Sequence, residues 1–319
     1  MLLAGDVGGT KTVLAIFSLE GQSVREQTFA SANFACFDDL LKAFLDTESL
    51  TAVCIGVAGP VHNGRCQTTN LPWLLDSTTI AAQTGGAKTW LLNDLEATAW
   101  GILSLPDSAF ADLGVNTTTE PGHKAVLAAG TGLGEAIIAY RAADQSYQVL
   151  PTEGGHSDFA PHNDLEIDLL EALRQQFPDH VSNERVICGP GLQAIYSFLC
   201  ARCGKHVQPT PAPSIISERA LAGDDAIAVQ ALTLFCQLYG AEAGNLALKC
   251  LPGGGVYLAG GIAPKILGFL KNGAFIERFV QKGRYQSYLA GLAVKVCLEP
   301  KAALLGAAAY ARQHIQTSS

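Results

Sequence analysis

The stretch "LLAGDVGGTKTVLAI", residues 2–16, sets an acid, two adjacent glycines, a threonine and a lysine between two apolar runs. Short apolar runs bounded by glycine predict buried strands, so the stretch reads as strand, tight turn, strand. Gly8 and Gly9 have no Cβ, and backbone there can approach another group closely. Two readings follow. The glycines serve the geometry of the hairpin itself, or the turn presents its N–H groups to a ligand.

A related plan returns at "AAGTGLGEAIIAY", residues 128–140: strand, glycine turn carrying a threonine, returning apolar strand. It is either a coincidence of common hairpins or the mark of two half-domains facing one ligand. Around the first hairpin, "SVREQTFA" (23–30) predicts a third strand and residues 38–47 a helix. "TAVCIGVAG" (51–59) and "AKTWLLND" (87–94) predict strands, the latter running straight into a helical "LEATAWGIL". Strand alternating with helix implies an α/β architecture with a largely parallel sheet.

A polar connection after Pro106 opens a second unit. Helices are expected over 165–177, 183–199, about 224–251 and 302–313, with a strand in "GGGVYLAGGIAP" (253–264). Residues 205–214, with Pro209, Pro211 and Pro213, read as a rigid loop.

At 319 residues the chain has room for roughly two domains. Charged residues make up 16% of it, below the roughly 25% of an average soluble chain, which suits a compact enzyme or an oligomer. Net charge is −8 and no basic cluster occurs, so nucleic acid is not an expected partner. A phosphorylated small molecule stays open, because backbone N–H groups bind phosphate without a basic patch. The N-terminus lacks the pattern of a signal peptide, and no apolar run approaches the roughly 20 residues that span a bilayer. Nine scattered cysteines predict free thiols in a reducing cytoplasm. Cys200 and Cys203 form a C-x-x-C pair with His206 nearby, but no fourth metal ligand suggests itself.

Nucleotide signatures of the common kinds largely fail. No G-x-x-x-x-G-K-[ST] occurs, and Gly189 to Ala194 fits G-x-G-x-x-[GA] without the acid expected about 20 residues on. Asn93-Asp94 sits where strand meets helix, the place where ligands gather in α/β sheets and equally the place for a helix cap. "LPTEGGHSDFAP" (150–161) concentrates Glu153, His156 and Asp158 around two glycines, either to hold ligand hydroxyls or as a surface turn. Glu184 by spacing alone is a first-turn acid that complements a helix dipole.

Taken in order, "GDVGGTK", "LLND", "AAGTGLGEA", "PTEGGHSDFAP", "SNERVICGPGL" and "YLAGGIAP" resemble the bacterial glucokinases of the actin-like, sugar kinase and heat-shock-protein ATPase superfamily. The resemblance runs from residue 4 to about 306. It implies a two-domain actin-like (ribonuclease H-like) α/β fold with a cleft between the domains. Residues 1–106 plus 301–319 would form the small domain and 107–300 the large one.

By the same resemblance, Asp94 is the base for the sugar 6-hydroxyl, and Asn93, Glu153, His156 and Glu184 hold the ring hydroxyls. Gly5, Asp6, Val7, Gly8, Gly9 and Thr10 correspond to the first ATP-phosphate loop, and Gly130, Thr131 and Gly132 to the second. Gly260 and Gly261 would border the adenine, with Gly189 and Gly191 nearby, and Asp6 would hold Mg²⁺ through water. A cytoplasmic homodimer acting on glucose and ATP is implied. Lys11 stands where many relatives have asparagine, and the cysteine-rich zinc motif of the repressor, open-reading-frame and kinase group is missing. The alternatives are a kinase for mannose, fructose or N-acetylglucosamine, and a sugar-binding regulator without turnover. With the first strand at residue 2, a preceding DNA-binding segment is not expected.

Overall fold

A strand buried along nearly its whole length lies inside a sheet, and β1 (Leu2–Val7) is buried at every position but Asp6. The computed structural model describes residues 1–68, 70–114, 116–205 and 207–316, so His206 lies outside the described residues. The chain divides into two units, Met1–Asp107 with Lys301–Ser319, and Ser108–Pro300.

In the first unit β1 pairs antiparallel with β2 (Lys11–Phe17), and β2 with β3 (Ser23–Ala30). On its other side β1 runs parallel to β4 (Ala52–Val57), which runs parallel to β7 (Lys88–Asn93). Between them in sequence lies a small ribbon of β5 (Arg65–Gln67) and β6 (Leu74–Asp76). Helices α1 (Phe37–Phe44) and α2 (Ser77–Gln83) bury Phe37, Leu41, Phe44 and Ile80 with Leu3, Ile16 and Ile55 of the sheet in one core.

Helix α3 (Asp94–Ser104) packs on the C-terminal helix, Ala302–Gln316, which itself lies on β1 and β4. The two helices touch through backbone. A Cβ at Gly306 would collide with the Ala97 carbonyl oxygen, and one at Gly101 with that of Ala302. Gly306→Ala is therefore expected to destabilise the protein. Overpacking against rigid backbone costs about 3 kcal/mol, against a helix-propensity gain of about 1 kcal/mol; a lower midpoint in urea unfolding checks it.

The second unit repeats the strand plan. Strand β9 (Lys124–Ala129) pairs antiparallel with β10 (Leu133–Arg141), and β10 with β11 (Ser146–Thr152). On the other side β9 runs parallel to β12 (Val256–Ala259) and β12 to β13 (Val294–Cys297), with β8 (Phe110–Asp112) antiparallel at the edge. A helical layer covers it: α4 (Asp164–Arg174), α5 (Gly189–Arg202), α6 (Pro213–Ala222) and the long α7 (Ala226–Cys250), then α8 (Leu267–Lys271), α9 (Ala274–Val280) and α10 (Gln286–Ala290). The echo between the two hairpins is thus a repeat of sheet topology.

Two expectations change. The helix expected over 183–199 begins only at Gly189, because Cys188 Sγ accepts the Gly191 N–H and Pro190 sits in the first turn, where a missing N–H costs nothing. Asn183–Arg185 form a separate 3-10 turn. The loop over 205–214 ends two residues early, with Pro213 opening α6. Among the described residues no helix is long and apolar enough to cross a membrane.

Candidate active site

The carboxyl ends of β1, β4 and β7 are in register, with Val7 beside Val57 and Val57 beside Asn93. The Gly8–Thr10 turn, the Gly59 turn and the start of α3 therefore share one sheet edge, the edge where α/β sheets bind ligands. Gly5 and Val7 are built into the sheet: a Cβ at Gly5 would meet Ile55 and Leu14 at 2.7 Å, and Val7 is buried. Only their backbone could face a ligand.

Ser31, which no sequence signal singled out, pins the first turn. Its hydroxyl donates to the Gly8 carbonyl at 2.8 Å, so the Thr12 hydroxyl must be the donor in the 3.0 Å bond to Ser31 Oγ. Its backbone N–H also donates to the Thr10 carbonyl at 3.1 Å. Ser31 and Thr12 are fully buried. Ser31→Ala strands both partners, and a loss of about 1–3 kcal/mol in chemical unfolding is expected.

Asn93 is used by the scaffold. Its Oδ1 accepts the Leu95 N–H at 2.9 Å as the cap of α3, and its Nδ2 donates to the Gly59 carbonyl at 3.0 Å. Glu96 accepts the backbone N–H of Asn93, completing a capping box, while burial raises its pKa. The helix-cap alternative is thus realised at Asn93. Asp94, the first residue of α3, is exposed, and its Oδ1 accepts the Leu95 N–H at 2.9 Å.

Half-buried Asp6 faces the same edge. Burial, then the Asp94 carboxylate, push its pKa up to about 6, with the Lys11 ammonium pulling the other way. Lys11 is exposed at the start of β2 and so has an electrostatic role in the turn. Two carboxylates beside a turn of backbone N–H groups form a site suited to a hard cation with phosphate oxygens. Among the described residues no three His, Cys, Asp or Glu side chains gather into a metal site. The residues fit an ion such as Mg²⁺, which keeps water and substrate phosphates as most of its ligands.

In the second unit the turn Gly130–Gly132 joins β9 to β10 at the carboxyl end of β9. The Gly189 N–H donates to the Gly130 carbonyl at 2.9 Å, and Glu184 Oε2 accepts the Leu133 N–H at 2.9 Å. Glu184 lies against Gly132 so closely that a Cβ there would collide with the carboxylate. It serves this turn, and since α5 begins only at Gly189, Glu184 is not the first-turn acid of that helix that its spacing suggested. Thr131 is exposed at the tip.

The 150–161 segment continues β11 into a 3-10 turn, Gly154–His156. Glu153 and His156 are exposed on it, while Gly155 is buried against the Leu133 carbonyl. Asp158 turns aside to pair with His180 at 2.9 Å. At the carboxyl end of β12, Gly260 has φ +81° and abuts the Ala129 carbonyl, where only glycine fits; Gly261 beside it is open. At the start of α5, Gly191 packs on the Val186 backbone, where a Cβ would sit 2.6 Å from its carbonyl.

Two sheets of one strand plan, each with a glycine hairpin at the carboxyl end of its central strand, define the actin-like sugar kinase fold. A crystal structure of a glucokinase from an Antarctic psychrotroph superimposes with a TM-score of 0.86 at 31% identity, covering 98% of both chains. That of Balamuthia mandrillaris glucokinase in complex with glucose shares the fold, with TM-score 0.81 at 24% identity, over 98% of this chain and 93% of that one. The glucokinase family model matches residues 3–314. A glucokinase of Nostoc sp. is 38% identical over 97% of this chain and 98% of its own, and one of Tolumonas auensis 36% over 98% of each. The chain belongs to the glucokinase family.

Proposed function

We propose that the protein transfers the γ-phosphoryl group of ATP to the 6-hydroxyl of glucose, with Asp94 as general base. The observation that carries this reading is an exposed carboxylate at the first position of α3, electrostatically coupled to Asp6 beside a glycine turn. Phosphoryl transfer asks for positioning and charge neutralisation more than covalent chemistry, and such an edge supplies both.

In this reading Asp94 accepts the hydroxyl proton as the oxygen attacks. The Gly8 and Gly130 N–H groups close their own turns by donating to the Lys11 and Gly132 carbonyls, at 3.0 and 2.8 Å; the other N–H groups of Gly8–Thr10 and Gly130–Gly132, with the Thr10 and Thr131 hydroxyls, are offered to the phosphates. Gly260 and Gly261, with Gly189 and Gly191, border the adenine. Asn93, Glu153, His156 and Glu184 bind sugar hydroxyls. After its scaffold bonds Asn93 keeps one Nδ2 hydrogen, and Glu184 keeps Oε1. Asp6 would hold Mg²⁺ through water, and the bound ion would supply charge neutralisation at the phosphates.

The test compares kcat/KM for glucose, mannose, fructose and N-acetylglucosamine by ADP release. Glucose should lead by about tenfold or more; a higher value for another hexose transfers the reading to that sugar. We further propose a cytoplasmic homodimer, on the low charged fraction and the free cysteines. Light scattering at a monomer mass overturns the dimer.

A further inference from the structure

Glu135 on β10 and Glu242 on α7 are each 1% exposed, and neither has a part in the chemistry above. Their carboxyl groups lie within hydrogen-bonding reach of each other. Glu242 Oε2 accepts N–H groups from Asn183 and Asn245, both at 2.8 Å. Its Oε1 and both oxygens of Glu135 receive no hydrogen bond from any other group among the described residues. Two ionised carboxylates in contact and out of water repel strongly, and one proton between them turns that repulsion into a hydrogen bond. The proton belongs on Glu135, since Glu242 already takes two amide donors and Glu135 none.

The pair sits where three segments of the sugar-binding region meet. The Glu135 backbone carbonyl accepts the Thr152 hydroxyl at 2.8 Å, and the Glu135 carboxyl lies directly against Gly154, where a Cβ would collide with it. Asn183, besides holding Glu242, donates from Nδ2 to Ser157 Oγ at 3.1 Å and from its backbone to the Ser157 carbonyl at 2.9 Å. It also precedes Glu184, whose carboxylate holds the Leu133 N–H two residues before Glu135.

The other charged and titratable groups facing the pair are few. Lys249 on α7 favours ionised Glu135, and Lys282 after α9 lies near Glu242 and donates to Asn245 Oδ1 at 2.5 Å. Arg278 on α9 stands near Lys282. Tyr239 on α7 is near Glu135 and donates its hydroxyl to the Leu127 carbonyl at 3.3 Å. Burial and Glu242 outweigh the lysine, pushing the Glu135 pKa up to about 8.

We propose that Glu135 and Glu242 share one proton in the working protein, and that Glu135 is thereby a positioning residue that holds the Glu153–Ser157 turn and Glu184 in place for the sugar. The positioning role rests on the glucokinase reading above; the shared proton does not. Ionisation of the pair separates the two carboxylates and loosens the turn.

The test uses Glu135→Gln, which imitates the protonated acid, and Glu135→Ala, which empties the position. Infrared spectra at neutral pH should show a protonated-carboxyl C=O band in the wild type that Glu135→Gln lacks. Folded protein holding a proton that the unfolded chain releases loses stability as pH rises from about 5 to about 8 and levels off above. The Tm advantage of Glu135→Gln over the wild type should grow through that window and then stay constant. In turnover, Glu135→Gln should lose the wild type's alkaline decline in kcat/KM for glucose, and Glu135→Ala should raise KM about tenfold with a smaller change in kcat. Absence of the band, or a Tm difference independent of pH, overturns the shared proton. An alkaline decline common to wild type and Glu135→Gln overturns the positioning role. If no sugar is phosphorylated at all, the glucokinase reading fails while the infrared and Tm results still decide the proton.

Discussion

Asp94→Asn is expected to lower kcat by roughly 10²–10⁴-fold, the contribution of a positioned general base. The change isolates proton acceptance. Asparagine keeps the side-chain shape, and its Oδ1 can still accept the Leu95 N–H that Asp94 Oδ1 accepts at 2.9 Å. Helix α3 stays capped by Asn93 and Glu96, so the fold should hold and KM for glucose should move far less than kcat. The substitution also removes a carboxylate that raises the Asp6 pKa, so the variant should unfold at an equal or higher temperature. Steady-state kinetics beside a thermal melt separate this outcome from simple misfolding. A kcat within about threefold of the wild type would remove Asp94 from the role.

Asp6→Asn is expected to stabilise the ligand-free protein at neutral pH and to abolish most turnover. The sign follows from the shift. Asp6 titrates at about 6 when folded against 3.8 in the reference state. Above pH 6 the carboxylate is ionised in both states, and the folded one bears the cost of burial and of Asp94. Two pKa units correspond to about 3 kcal/mol, an upper figure for a half-buried group. That cost is absent below about pH 4 and grows as pH rises toward 6. The wild type should therefore lose stability across this window, and Asp6→Asn should not. Addition of ATP and Mg²⁺ should reverse the order, raising the wild-type Tm more than the variant's, because binding to the folded state alone stabilises it. Stability given up at a site for the sake of charge is a recurring trade in enzymes.

The architecture was legible where apolar runs end on glycine. "LLAGDV" coincides with β1, and the 128–140 echo proved to be a repeat of sheet topology; "SVREQTFA", mostly polar and exposed, also coincides with its strand, β3. Strand β11 escaped because "SYQVLPT" carries Pro151 and mixes polar with apolar residues, as an edge strand does. The short β8 and β13 are held by neighbours in the sheet more than by local propensity. The start of α5 was misplaced although Gly189-Pro190 is a good helix opening, since apolar periodicity continues upstream of it.

At the site, the strand-to-helix junction marked Asn93 and Asp94 without separating their uses. Only coordinates show that Asn93 spends Oδ1 and one N–H on the scaffold while Asp94 stays exposed. Ser31 could not be read, because its value lies in contacts with Gly8 and Thr12, some twenty residues away in sequence. Glu135 did leave a trace: a lone acid in the apolar run "LGEAIIAY" is costly unless something meets it. Lys11 takes its meaning from Asp6, a neighbour across the turn.

The most direct measurement of the central claim is phosphorus NMR of the protein incubated with ATP, Mg²⁺ and glucose, with 6-deoxyglucose as control. The account predicts glucose 6-phosphate forming in step with ADP, and no sugar phosphate from the control. Phosphate on another hydroxyl, or ADP released at the same rate with and without glucose, would contradict it.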